Sequence, residues 1–288
     1  MKKLCGRNYF EGWYFKNSNG MFTISFIPSC HVDKKGNQKA YLQVVTNDNS
    51  YYFEYAKDKF IKDKKCLFVN LEHCIFCTDH IDISINSKQV TIKCELNFTE
   101  RVPLKYDIMG PFKFAPLMPC RHKIISLSHK VNGYIKINNI RHEFVNGEGY
   151  IESDRGSCFP KKYLWTHCNL EKDSVITLSV AQAKVMGIKF PGVIGVILHQ
   201  GVEYRMATYL GAKIIKWNEK GAQIKQGDMI LDVEQLSSKP HDLKAPIKGA
   251  MKGAIGHSPF CEARYTFCYK GQTLIDTIAN NASFEIVD

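Results

Sequence analysis

The chain reads as all-β, with two tandem antiparallel β-barrel or sandwich domains that derive from an internal duplication. Three observations carry that reading. Apolar and polar residues alternate with period two along much of the chain, turn residues recur at short intervals, and the halves run through similar strings in the same order. Trp13 and Trp165 each open a half. Trp13 is followed by Thr23-Ile24-Ser25-Phe26, and Trp165 by Thr177-Leu178-Ser179-Val180. Tyr52-Phe53-Glu54-Tyr55 is answered by Tyr204-Arg205-Met206-Ala207-Thr208-Tyr209, and Gly149-Tyr150-Ile151-Glu152 by Ala282-Ser283-Phe284-Glu285. A repeat of this length has the size of a small domain, not of a solenoid unit. The boundary is expected near Cys158, with domains at 1–158 and 159–288.

The elements follow in order. Asn19-Gly20 marks a turn after the first Trp string. Residues 81–85 and 90–98 alternate cleanly and form a hairpin through Asn86-Ser87-Lys88-Gln89. Residues 109–119, with Pro111, Pro116 and Pro119, reject both helix and central strand and are expected to form an irregular crossing segment. Residues 134–137, 140–144, 175–180 and 202–209 read as further strands. Asn132-Gly133, Asn146-Gly147 and Lys270-Gly271 read as turns. Residues 156–160 break the pattern between the repeats. Residues 242–256, with Pro246, Gly249, Gly253 and Gly256, are expected to be a loop or lid.

Bulk composition narrows the function classes. A hydrophobic share of 44% and an aromatic share of 12% are enough for packed cores. The net charge of +11 comes from scattered Lys and Arg with short clusters such as 57–65. No nucleic-acid-binding signature accompanies it, so no nucleic acid partner is expected. The charge reads as a solvated surface or as attraction to anionic membrane. The opening Met1-Lys2-Lys3-Leu4-Cys5-Gly6-Arg7-Asn8 has charge but no apolar run, unlike a signal peptide, and no stretch approaches the ~18 apolar residues of a membrane span. The expected location is the cytoplasm. Eleven cysteines without an export signal read as free thiols.

Several clusters could carry chemistry. Glu11 sits among Phe10, Trp13, Tyr14 and Phe15, surroundings that raise a carboxyl pKa. It could be a general acid or a group that ties down backbone. Glu152 and Asp154 alternate onto one strand face. Glu152 has the counterpart Glu285, which fits an architectural role, and Asp154 has none. His122 opens a polar run with Ser126 and Ser128 on its face and His129 on the other. It could donate a proton or be a hydrogen-bonded barrel histidine. Tyr14, Tyr150, Trp13 and Trp165 could line a substrate-binding wall or belong to the core. His73, Cys74, Cys77 and His80 offer four zinc ligand types, but an extended strand sends Cys74 and Cys77 to opposite faces, and no metal is expected. P-loop and dinucleotide glycine motifs are lacking.

Phe10-Glu11-Gly12-Trp13-Tyr14-Phe15-Lys16 resembles the opening motif of the tocopherol cyclase family. The likeness continues collinearly through Tyr150-Ile151-Glu152, Phe159-Pro160-Lys161-Lys162-Tyr163-Leu164-Trp165, Cys168-Asn169, Leu243-Lys244-Ala245-Pro246 and Ala282-Ser283-Phe284-Glu285. The run 153–158 departs from the family's glycine-rich stretch. The resemblance implies tandem lipocalin-like domains, in a superfamily that includes carotenoid hydratases, and chemistry on a prenyl chain without cofactor or metal. Such chemistry protonates an alkene and captures the tertiary cation with a phenol oxygen or a water. The implied partner is a hydrophobic small molecule or prenyl lipid, with possible peripheral membrane contact. On that reading Asp154, His122, Glu11 and Glu152 are the catalytic candidates, gathered near the junction of the two β units. The alternative is a carrier of an apolar ligand on the same fold.

Overall fold

The computed structural model describes residues 8–63, 65–115, 118–171, 173–185 and 188–287. The opening charged segment 1–7, Lys64 of the basic cluster, and Pro116 and Leu117 of the proline-rich segment lie outside the described residues. The chain divides into two compact units. The first comprises Met1–Lys105, His122–Cys158 and Pro246–Lys252, and the second Tyr106–Arg121, Phe159–Ala245 and Gly253–Asp288.

The strands of the first half are β1 (Tyr9–Ser18), β2 (Thr23–Val32), β3 (Gln38–Thr46), β4 (Ser50–Ala56), β5 (Phe60–Lys62), β6 (Phe68–Leu71), β7 (Cys74–Cys77), β8 (His80–Asn86), β9 (Thr91–Val102), β10 (Cys120–Ile137) and β11 (Ile140–Gly156). They form one antiparallel sheet in the order β4-β3-β2-β1-β11-β10-β9-β8-β7-β6-β5. Alternation builds its core. In β8 and β9 every second residue is buried, including Ile81, Ile83, Ile85, Ile92, Cys94, Leu96 and Phe98. Phe53 of β4 and Phe60 of β5, from opposite ends of the strand order, pack on the same apolar cluster. The sheet therefore curls around its core, as a closing barrel does. Phe76 fills that core against Phe15 at 5.4 Å and Phe26 at 6.2 Å between ring centroids.

The second half repeats the plan with β12 (Tyr163–Leu170), β13 (Ser174–Val185), β14 (Ile188–His199), β15 (Val202–Ala207), β16 (Lys213–Trp217), β17 (Gly221–Gln226), β18 (Met229–Gln235), β19 (His241–Ile247), β20 (Ala250–Tyr269) and β21 (Gln272–Val287). Its order, β15-β14-β13-β12-β21-β20-β18-β17-β16, matches the first from β4 as far as β7, and β19 pairs with β20. The duplication is thus a duplication of topology. This is an all-β, lipocalin-like fold.

Several local expectations need correction. Trp13 and Trp165 open equivalent strands but face opposite ways. Trp13 belongs to the first core, whereas in β12 the core residues are Leu164 and Cys168, of the other parity. Asn132-Gly133 and Asn146-Gly147 are not hairpin turns: both lie inside the long strands β10 and β11. Gly133 has φ 132°, and a Cβ there would overlap the Glu95 carbonyl oxygen of β9, so the position is a close approach between strands. Residues 242–256 are not a lid but run through β19 and the start of β20. Within 109–119 a 3₁₀ turn covers Gly110–Phe114, where Pro111 sits in the first turn and costs no hydrogen bond.

Candidate active site

The register of β1 with β11 places the candidate residues. Tyr14 lies opposite Glu152, Gly12 opposite Asp154, and Lys16 opposite Tyr150. Residues paired across an antiparallel ladder project from the same face. The other parity, Trp13 and Phe15 with Ile151, belongs to the core. The sheet thus has an apolar face inside the barrel and a second face that carries Tyr14, Lys16, Tyr150, Glu152 and Asp154. The second face is also withdrawn from water: Tyr14, Lys16, Tyr150 and Glu152 are all buried. Strand β2 extends it with buried Ser25, Ser29 and His31, and β3 with buried Gln43 and Tyr41.

On this face His122, from the neighbouring strand β10, meets both acids. Its Nδ1 is 3.2 Å from Asp154 Oδ1, and its Nε2 is 3.5 Å from Glu152 Oε2, an ion-pair distance. The side chains of His122, Glu152 and Asp154 are 13%, 9% and 21% exposed, so Asp154 is the most accessible of the three. The Tyr150 hydroxyl donates to Glu152 Oε2 at 2.6 Å. Ser25 donates to the Tyr14 hydroxyl at 2.8 Å, and the Tyr14 and Tyr150 rings meet edge-on at 6.4 Å. Gly12 sits between Asp154 and Ser29, and a Cβ there would stand 3.3 Å from Ser29 Cβ.

An imidazole faced by a carboxylate at each nitrogen can donate to both only as imidazolium. The group can therefore store a proton between two acids and shift it along the His122–Asp154 contact. One ligand nitrogen of His122 and one oxygen from each of Glu152 and Asp154 also lie within 4.8 Å of one another, a spacing that a metal ion could span.

Glu11 is not brought to this cluster. It lies opposite Arg155, on the parity of Trp13, and forms an ion pair with Lys62 of β5. The Lys62 ammonium stands 5.8 Å above the Trp13 ring, and the Tyr9 hydroxyl donates to Glu11 at 3.2 Å. Glu11 and Trp13 together anchor β5. The run after His122 also departs from a simple strand. A register shift between Ser128 and Lys130 turns His129 back, so its Nδ1 lies 3.1 Å from Ser126 Oγ instead of pointing away from it.

Trp165 lies in the second unit, opposite Glu285. That unit holds a histidine–carboxylate group of its own. His257 Nδ1 is 2.8 Å from Glu285 Oε1, and the Tyr163 hydroxyl donates to Glu285 Oε2 at 2.8 Å. The Trp165 and His257 rings lie 6.2 Å apart. His257 is on β20 and Glu285 on β21, the counterparts of β10 and β11. His257 and Tyr163 were missed in the sequence reading, although the match of Glu285 with Glu152 was a signal for them. The copies differ in one respect. Two residues after Glu152 stands Asp154, but two residues after Glu285 stands Val287.

No family model matches the chain. Among curated proteins it is similar to "Probable tocopherol cyclase, chloroplastic" of Oryza sativa subsp. japonica, with 24% identity over 180 residues. That match takes in 54% of this chain and 36% of the rice protein, so the chain spans about a third of its relative's length. Among solved structures it is similar to a "putative AttH" from Nitrosomonas europaea, with TM-score 0.56, 16% identity, and coverage of 96% of this chain and 92% of the other. CghA aligns with TM-score 0.57, 9% identity, and coverage of 97% and 88%. Kievitone hydratase from Nectria haematococca aligns with TM-score 0.56, 8% identity, and coverage of 97% and 88%. At these identities the structural likeness speaks for the fold.

Proposed function

We propose that the chain is a tocopherol-cyclase-like enzyme that carries out cofactor-independent, acid-catalysed cyclisation or hydration of a prenylated quinol or related isoprenoid lipid. The observation that supports this most is the His122 imidazole held between the Glu152 and Asp154 carboxylates, beside Tyr150, on a face withdrawn from water. The similarity to a probable tocopherol cyclase and the fold shared with a hydratase point to the same chemistry.

In this reading a proton shifts from His122 to Asp154, the more exposed acid. Asp154 delivers it to the trisubstituted alkene, and the electron pair of the double bond forms the new C–H bond. The resulting tertiary cation forms near the Tyr14 and Tyr150 rings, whose quadrupoles favour positive charge. The phenol oxygen closes the ring, and its proton returns to the cluster, which ends as it began. In hydration a water replaces the phenol oxygen. A desolvated site strengthens each of these electrostatic contributions.

Purified protein given a prenylated hydroquinone should yield the ring-closed chromanol. Asp154→Asn and His122→Ala should each slow turnover by roughly a hundredfold or more, the usual contribution of a positioned acid. Retention of the lipid without any turnover by the wild type would support the carrier reading instead. Turnover unchanged in both variants would remove this cluster from the chemistry.

A further inference from the structure

A second group of metal-ligand types lies far along the same sheet from His122. The turn Thr78-Asp79 joins β7 to β8 and interrupts what the sequence suggests is one strand. Phe76 pairs with Ile81, so Cys77 and His80 flank the turn directly across from each other. Cys74 is not part of this group. It pairs with Leu71 and Ile83 and is buried in the first core, where burial pushes its thiol up to about 12. The turn thus separates the two cysteines and brings Cys77 to His80.

The ligand atoms of Cys77, Asp79 and His80 all lie within 4.8 Å of one another. In a tetrahedral zinc site with bonds of about 2.0–2.3 Å, ligand atoms stand roughly 3.3–3.8 Å apart. Asp79 Oδ1 and His80 Nδ1, at 3.0 Å, already stand near that spacing. The side chains of His80 and Asp79 are 42% and 68% exposed, which leaves an entry path.

We propose that Cys77, Asp79 and His80 bind a zinc ion at the β7–β8 turn, with a water completing the tetrahedron. The ligand set is the borderline-soft mixture of thiolate, imidazole and carboxylate that zinc favours over magnesium or calcium. Binding releases the Cys77 thiol proton and neutralises the Asp79 carboxylate.

Cobalt(II) titration of the reduced, chelator-stripped full chain tests the site. The expected result is uptake of one equivalent with thiolate-to-cobalt absorption in the near ultraviolet, reversed by added zinc. Cys77→Ser and His80→Ala should each weaken uptake at least about tenfold, because each removes one of three protein ligands. Asp79→Asn, at an exposed turn where folding is not in question, should weaken it as well. Absence of the cobalt absorption, or uptake that survives Cys77→Ser and His80→Ala together, would overturn the proposal.

Discussion

At the scale of residues, the pairing of His122 with two acids separates the candidates that alternation alone could not. Glu152 and Asp154 were legible as one face because period two is a property of any strand. His122 was legible as a candidate, but its partners were not, since contact between β10 and β11 depends on register. Glu11 shows the opposite limit. Its aromatic neighbours in sequence suggest an apolar acid, yet in the fold it is neutralised by Lys62, fifty-one residues away. Glu11→Gln should therefore lower stability by roughly 2–4 kcal/mol, since it strands a half-buried ammonium. Its turnover should stay within a few-fold of wild type. A loss of turnover as large as that of Asp154→Asn, with no fall in the urea midpoint, would return Glu11 to the reaction.

At the scale of elements, most strands were readable from alternation, and the turn read at 86–89 lies at 87–90. Long strands were the exception. β10 and β11 run through Asn-Gly pairs that a local reading takes as hairpins. In each case the glycine or asparagine serves a bulge or a close approach, and that need arises from the neighbouring strand. Residues 242–256 misled for the same reason, because Pro246, Gly253 and Gly256 sit on β19 and β20 without ending them, and only Lys248-Gly249 is a turn. Gly133 offers a test. Gly133→Ala places a methyl against the Glu95 carbonyl at φ 132° and should cost about 2–4 kcal/mol, read as a lowered urea midpoint. An unchanged midpoint would mean that the β9–β10 ladder relaxes at no cost.

At the scale of the whole molecule, duplication supplied two histidine–carboxylate groups, and only the first carries a second acid. This asymmetry, Asp154 against Val287, was readable in the repeat alignment, whereas the His257–Glu285–Tyr163 group became visible only with the strand order. Among the described residues no helix is long and apolar enough to cross a membrane, and all ten described cysteines are free thiols.

Global stability should also carry the mark of two buried histidines. Burial lowers His31 to about 3, and burial, followed by the Arg101 charge, lowers His129 to about 3. Both are neutral in the folded state at pH 7. Below about 6.5 the unfolded chain takes up protons that the folded chain refuses. Stability from this source is complete above that pH and is lost as pH falls towards 3, by up to about 1.4 kcal/mol per pH unit for each ring. Urea unfolding between pH 7.5 and 4.5 should show the decline, and His31→Asn should flatten it by one proton's slope. Equal slopes in the two proteins would show that His31 takes its proton without unfolding.

The claim on which the account turns is delivery of a proton to carbon by the His122–Asp154–Glu152 group. Turnover of a prenylated hydroquinone in D2O, read by mass spectrometry of the chromanol, tests it most directly. The account predicts a single deuterium on the former alkene carbon beside the new C–O bond, formed by the wild type and roughly a hundredfold more slowly by Asp154→Asn. A ring-closed product without deuterium, or deuterium incorporated at the wild-type rate by both Asp154→Asn and His122→Ala, would contradict it.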